Sequence, residues 1–270
     1  MIAVASPNEM RENVYGHAKR LRWIVSHIRR EDAVVEVGCG TGYMVALPLA
    51  RMGYDVTGVD THRESIAYGQ ERFREAGLDP ERLKVMDFAM LDASPDVVIA
   101  SEVFEHIPGA ELAEMLRIVR EKLKPGGRLL VTVPNGYGGF EIEKLVWDKL
   151  RMDRVMEFRI VGYLLGRLQA KVLAPLGFFI FSHPATLSGS PHVQRFTFSG
   201  VRKTLRKNGF EVIEQTGSVL FCGPFSNTFF SGIGPIMRLN CFLGGLLRRF
   251  ASGYYIACKK GSERSESVRK

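Results

Sequence analysis

Cysteine is scarce in this chain. Cys39, Cys222, Cys241 and Cys258 are spread over 270 residues with no CxxC pair. That spacing excludes a disulfide-dense scaffold and argues against a zinc ribbon. No apolar run reaches the roughly 18 residues that a membrane span needs. The first residues, Met1 to Arg11, lack the basic-then-apolar order of a secretory signal. A reducing cytoplasm is the expected compartment. Apolar residues make up 46% and charged residues 24%, which leaves no room for a disordered chain, a collagen-like chain or a coiled-coil rod. Internal repeats are missing too.

Charge is present but unevenly placed. The net +8 combines 17 Lys/Arg against 20 Asp/Glu in residues 1–140, a net −3, with 20 against 9 in residues 141–270, a net +11. A basic half suits an anionic partner: nucleic acid, lipid headgroups or a phosphorylated substrate. The plain alternative is a solvated surface.

Apolar periodicity predicts a helix over 12–29, then a strand at 33–37 stopped by Gly38, and a helix over 43–52. Further strands are expected at 55–59, 83–86, 96–100 and 128–133, with helices at 62–75 and 109–123. Phe198 to Asn208 reads as a helix capped by Ser199, followed by strands at 210–216 and 253–258. Strands that are apolar nearly throughout and alternate with helices indicate a doubly wound α/β fold around a parallel sheet.

The segment Val35-Glu36-Val37-Gly38-Cys39-Gly40-Thr41-Gly42 joins the first strand to a helix. Its glycines allow a tight turn and close approach to a ligand. Asp60 ends the second strand 18 residues after Gly42, where a carboxylate can accept both hydroxyls of a ribose. Tyr43 stands where a dinucleotide loop would carry its third glycine.

Together, Glu36 to Gly42, Val59-Asp60, Met86-Asp87-Phe88 and Lys124-Pro125-Gly126-Gly127-Arg128 resemble the class I S-adenosylmethionine-dependent methyltransferases. The resemblance covers roughly residues 12–134 and a later helix and two strands. It implies a seven-stranded, mostly parallel sheet with an antiparallel last strand, and S-adenosyl-L-methionine as cofactor. It also implies roles: Glu36 and Gly38, Gly40 and Gly42, with Cys39 among them, for the methionine end; Asp60 for the ribose; Asp87 and the Phe88 amide for adenine. Glu36 could instead cap the next helix, and Asp87 could be an ordinary turn residue.

Ser101-Glu102-Val103-Phe104-Glu105-His106 follows the fourth strand, and ligands bind outside the carboxyl ends of such strands. Glu102-x-x-Glu105-His106 resembles the ubiquinone-biosynthesis O-methyltransferase group, and Arg20 matches the arginine that meets the cofactor's carboxylate there. His106 is the candidate base and Glu105 its partner. In that group the Glu102, Glu105 and His106 positions are associated with a magnesium-type ion, so a divalent metal is a further option. No metal ligand is otherwise indicated. His192 and Arg195 are secondary candidates near the acceptor.

The expected organisation is a cofactor-binding core at 1–135, a helical insertion or acceptor lid at 136–190, a return to the core at 191–219, a second apolar and basic insertion at 220–250, the last strand at 251–260 and a polar tail at 261–270. Residues 155–173 and 236–250 combine apolar bulk with arginine and lysine, which reads either as a lid or as a membrane-surface element. The expected reaction is methyl transfer to an oxygen of an apolar or membrane-associated small molecule, such as a quinone precursor, a lipid or a lipid-linked sugar. RNA or protein methylation, or cofactor binding without catalysis, are the alternatives. A cytoplasmic protein, in peripheral contact with the inner membrane face, would follow.

Overall fold

The computed structural model of the protein describes residues 12–152, 154, 184–230 and 233–261. Strand and helix alternate in the first half: α1 (His17–Ser26), β1 (Ala33–Val37), α2 (Ala46–Arg51), β2 (Asp55–Asp60), α3 (Arg63–Glu75), β3 (Leu83–Val85), β4 (Val97–Ser101), α4 (Gly109–Lys122) and β5 (Arg128–Pro134). The described remainder holds α5 (Gly139–Lys149), α6 (Phe198–Lys207), β6 (Phe210–Gly217), α7 (Pro224–Phe230), α8 (Gly234–Leu246) and β7 (Gly253–Lys260).

All seven strands form one sheet in the order β3-β2-β1-β4-β5-β7-β6. Strands β1 to β5 run parallel, and β7 is antiparallel to both β5 and β6. The doubly wound α/β fold with its antiparallel last strand is therefore as the sequence predicts. Strand order reverses between β1 and β4, which opens a crevice at their carboxyl ends.

Both faces of the sheet are covered, which explains the apolar strands. Val35, Val98 and Val131 pack with Leu112, Leu116 and Val119 of α4. Their chain neighbours Val34, Ile99 and Leu130 face the other way, toward Leu21 and Ile24 of α1 and Leu49 of α2. Successive strand residues point to opposite faces, so both sets must be apolar.

Several boundaries differ from expectation. α1 starts at His17 rather than at 12, because Gly16 takes a left-handed φ of 71°. The amides of its first turn are taken up by side chains just upstream: His17 N donates to Asn13 Oδ1, and Ala18 N and Lys19 N donate to the Glu12 carboxylate. α6 is capped by Thr197, not Ser199; Thr197 Oγ1 accepts from Gly200 N at 3.0 Å. α5 falls within 136–190, the stretch expected to be a helical insertion, in which the only helix given bounds is 155–173. The expected helix at 155–173 lies outside the described residues.

Candidate functional site

A cavity of about 1160 Å³ opens at the switch point. Arg20, Glu36, Gly38, Cys39, Gly40, Asp60, Asp87, Phe88, Ser101, Glu105 and His106 all line it. Gly42 does not. It sits behind the loop at φ 68°, where an added Cβ would meet Leu83 Cδ2 at 2.9 Å, so its smallness serves packing rather than the cavity wall.

The loop itself needs its glycines. Gly38 and Gly40 have φ of 64° and 55°, a region that disfavours any side chain. Asp60 braces the loop: its Oδ2 accepts from Gly40 N and its Oδ1 from His62 N, both at 2.8 Å. Each carboxylate oxygen has a second lone pair, so Asp60 keeps acceptor capacity for a diol. Glu36 is buried, and its Oε2 accepts from Ala46 N at 2.9 Å, at the start of α2. Burial, opposed by that bond and assisted by Asp60, pushes its carboxyl up to about 8. The cap reading of Glu36 is thus realised at a position that also faces the cavity. Cys39 is buried and its thiol is pushed well up, first by burial, then by Glu36 and Asp60; a thiol held protonated is no nucleophile. Asp87 Oδ1 accepts from Ala89 N at 2.8 Å, capping the short turn Phe88–Met90.

Opposite the loop, Arg20 donates to Ser101 Oγ at 3.4 Å and pairs with Glu102 at 3.5 Å. Its Nε is buried without a partner, which leaves donor capacity for an anion. Glu102 is held at φ 57°, a conformation that costs energy for a non-glycine residue and gathers at functional sites. Its Oε1 accepts from Thr132 Oγ1 at 2.9 Å.

His106 Nδ1 lies 3.1 Å from the Pro191 carbonyl oxygen. A carbonyl only accepts, so this contact assigns the neutral-ring proton to Nδ1 and leaves the lone pair on Nε2. That nitrogen is 3.9 Å from Glu105 Oε1. Glu105 is 1% exposed; burial first and Glu102 second push its carboxyl up to about 9. Its Oε2 is buried without a partner.

The metal-type grouping differs from the expected one. Glu102 turns toward Arg20 and Thr132, whereas ligand atoms of Glu105, His106 and His192 lie within 4.8 Å of one another. One carboxylate and two imidazoles, with an orphaned carboxylate oxygen among them, fit a divalent ion. His192 is placed there because Val193 N and Gln194 N both donate to the Glu105 carbonyl, at 2.8 and 3.1 Å. Arg195 packs on Gly136 instead and does not line the cavity.

Two contributors were missed. Residues Pro184 to Ser190 lie over the glycine loop: Thr41 N donates to Ala185 O at 2.9 Å and Leu187 N to Ser65 Oγ at 2.9 Å. Nothing in their composition signals this. His17 lines the cavity beside Arg20, and their i,i+3 spacing on one helix was the available clue. Burial first and Arg20 second push its imidazole down to about 3. Among the described lining residues there are seven carboxyl groups, of which burial holds Glu36 and Glu105 protonated near neutral pH, leaving Asp60, Asp87, Glu102, Glu111 and Glu114 against one guanidinium, Arg20.

Residues 10–215 match the family model described as a methyltransferase domain. The chain is 30% identical over 120 residues to the ubiquinone biosynthesis O-methyltransferase of Stutzerimonas stutzeri, covering 43% of this chain and 50% of that protein. It is 38% identical over 106 residues to a probable cobalt-precorrin-6B C(15)-methyltransferase of Methanothermobacter thermautotrophicus, covering 38% of this chain and 53% of that one. The chain thus spans about half the length of the curated relatives it matches. In fold it is similar to a SAM-dependent methyltransferase from Methanosarcina mazei, at TM-score 0.55 and 21% identity, over 89% of this chain and 98% of that one. The magnesium protoporphyrin IX methyltransferase of Synechocystis PCC 6803, solved with bound SAH, superposes at TM-score 0.51 and 17% identity over 91% of this chain and 81% of that one. With a family model spanning most of its length, the chain belongs to the methyltransferase domain family.

Proposed function

We propose that this protein transfers a methyl group from S-adenosylmethionine to an oxygen of an apolar or membrane-associated small molecule, such as a quinone precursor, a lipid or a lipid-linked sugar. The observation that carries the reading is the meeting of the glycine loop and Asp60 with Glu105 and His106 in one cavity. Asp60 would hold the ribose hydroxyls, Asp87 and the Phe88 amide the adenine. Arg20, through its unpartnered Nε, would take the methionine carboxylate, with Glu36, Gly38 and Gly40 beside it.

When bound, S-adenosylmethionine supplies an electrophilic methyl on a sulfonium. His106 Nε2 accepts the hydroxyl proton of the acceptor. Glu105, its carboxyl held protonated near neutral pH by burial, lies 3.9 Å from that nitrogen and shapes its surroundings without lending it a charge. A divalent ion held by Glu105, His106 and His192 would acidify the acceptor hydroxyl. A ring nitrogen that ligates a metal has no lone pair for a proton, so the two roles of Nε2 exclude each other.

The excess of carboxylates in the cavity supports a neutral acceptor over RNA, whose phosphates they would repel. Residues 136–190 and 220–250 would be insertions at the carboxyl edge of a core formed by 1–135, 191–219 and 251–260. The test is to add the purified protein, or its His106→Ala variant, with labelled S-adenosylmethionine to extracts of cells lacking it. Label entering the organic phase and dependent on His106 is expected; label in RNA or protein alone would overturn the reading.

A further inference from the structure

Helix α8 is packed on one side only. Its inner face is fixed by Met237, Asn240 and Gly244, all buried. Asn240 Oδ1 accepts from Leu220 N and Phe221 N at 3.1 and 2.9 Å, and Asn240 Nδ2 donates to Phe221 O at 2.7 Å. Lys19 Nζ donates to Cys241 O at 2.8 Å, tying α8 to α1. The helix is therefore anchored, and its outer face is not loosened core.

That outer face is apolar. Leu239, Phe242, Leu246 and Phe250 are 55%, 65%, 65% and 68% exposed. Their spacings of three, four and four put them on one side of the helix and its following turn. Leu247 adds a fifth exposed apolar side chain. Exposed apolar stripes of this kind mark contact surfaces. None of these residues lines the cavity.

Charge identifies the partner. The sequence has no acidic residue between Glu214 and Glu263, while Arg238, Arg248 and Arg249 flank the stripe, and all three are exposed. The stripe itself offers no hydrogen-bonding side chain, and a bilayer requires none. No helix among the described residues is long and apolar enough to cross a membrane. Apolar side chains in line, basic residues beside them and insufficient length to span are the attributes of an element that lies in a membrane interface.

We infer that the outer face of α8, with the turn Leu247 to Phe250, docks on an anionic lipid bilayer. α8 packs on the segment that follows the edge strand β6, and Lys19 Nζ ties it to α1, the helix that carries the cavity residues His17 and Arg20. The inference adds a partner surface to the proposed reading of a membrane-associated acceptor, but lipid binding needs no turnover, so either can fail alone.

Flotation of the full chain tests it, with vesicles of pure phosphatidylcholine and of equimolar phosphatidylcholine and phosphatidylglycerol. The protein should float with the anionic vesicles at low salt and much less with the neutral ones. Each of Arg238→Gln, Arg248→Gln and Arg249→Gln should weaken the partition about fivefold. Phe242→Ser with Leu246→Ser should weaken it at least about tenfold. Circular dichroism and S-adenosylhomocysteine binding serve as controls that the variants are folded. Protein that stays at the bottom with anionic vesicles, or serine variants that float like the parent, would overturn the inference. A self-association lost in the same serine variants, without lipid binding, would assign the face to a second copy and overturn it equally.

Discussion

Replacing Asp60 by alanine should produce two separable losses. In the free protein its carboxylate accepts from the Gly40 and His62 amides, each at 2.8 Å. A hydrogen bond to a charged group contributes about 1.5–3 kcal/mol. The carboxylate is half-buried, so water replaces part of each bond, and about 2–4 kcal/mol of stability should go. For a domain of this size that lowers the melting temperature by roughly 5–10 °C. The second loss is the contact to the ribose diol, about 1.5–3 kcal/mol, or a ten- to hundredfold weaker cofactor affinity. Asp60→Asn refines the comparison, because its NH2 must face one of two amide donors and disturb the loop while keeping one acceptor oxygen. Calorimetric titration with S-adenosylhomocysteine well below the melting transition reads the affinity alone. A lowered melting temperature with unchanged affinity would refute the reasoning and reduce Asp60 to a loop brace.

His106→Ala should lower turnover about 10²–10⁴-fold and leave S-adenosylhomocysteine affinity nearly intact; retained turnover at neutral pH would make His106 a wall of the cavity. If Glu105, His106 and His192 hold a divalent ion during catalysis, a chelator should abolish activity and added magnesium should restore it, whereas indifference to chelator removes the metal role. Glu36 is held up to about 8 by burial, above the ordinary glutamate value of about 4.3. Its stabilising contribution is fully present below about 4.3 and is lost as pH rises through about 8, at up to about 1.4 kcal/mol per pH unit. Glu36→Gln keeps an acceptor for the Ala46 amide and has nothing to ionise. Its melting temperature relative to the parent should therefore climb between pH 5 and pH 8, and a flat difference would refute the burial argument.

What could be read from sequence was what lies close along the chain. Glu36, the glycine loop and Asp60 are joined by one strand-helix-strand unit, so spacing alone places them together. The strands declared themselves because both sheet faces are covered. Long-range partners could not be read in this way. Thr41 Oγ1 donates to the Pro184 carbonyl at 2.8 Å across 143 positions, and no local pattern encodes that contact. The grouping of His192 with Glu105 and His106 depends on two backbone bonds to the Glu105 carbonyl, which side-chain identities do not reveal. α8 was ambiguous for another reason: apolar residues occupy both its faces, and composition cannot say which one meets the core.

Charge separation between the two halves of the chain now has a spatial meaning. Seven of the twenty acidic residues of 1–140 line the cavity, and five of them, Glu36, Asp60, Asp87, Glu102 and Glu105, lie at or just beyond the ends of β1 to β4. No lysine or arginine of residues 141–270 lines that cavity among the described residues. Those described basic residues lie elsewhere, among them Arg202, Lys203 and Lys207, exposed on α6, Lys144 and Lys149 on α5, and the arginines around α8. An acidic interior favours a cationic or neutral guest, and a basic exterior favours an anionic surface. Both preferences can operate together only if the bound molecule and the surface approached are chemically different. A polyanion entering the cavity would satisfy the exterior and be repelled by the interior. A neutral acceptor drawn from an anionic surface satisfies both, which is why the charge pattern and the α8 stripe lead to the same class of acceptor.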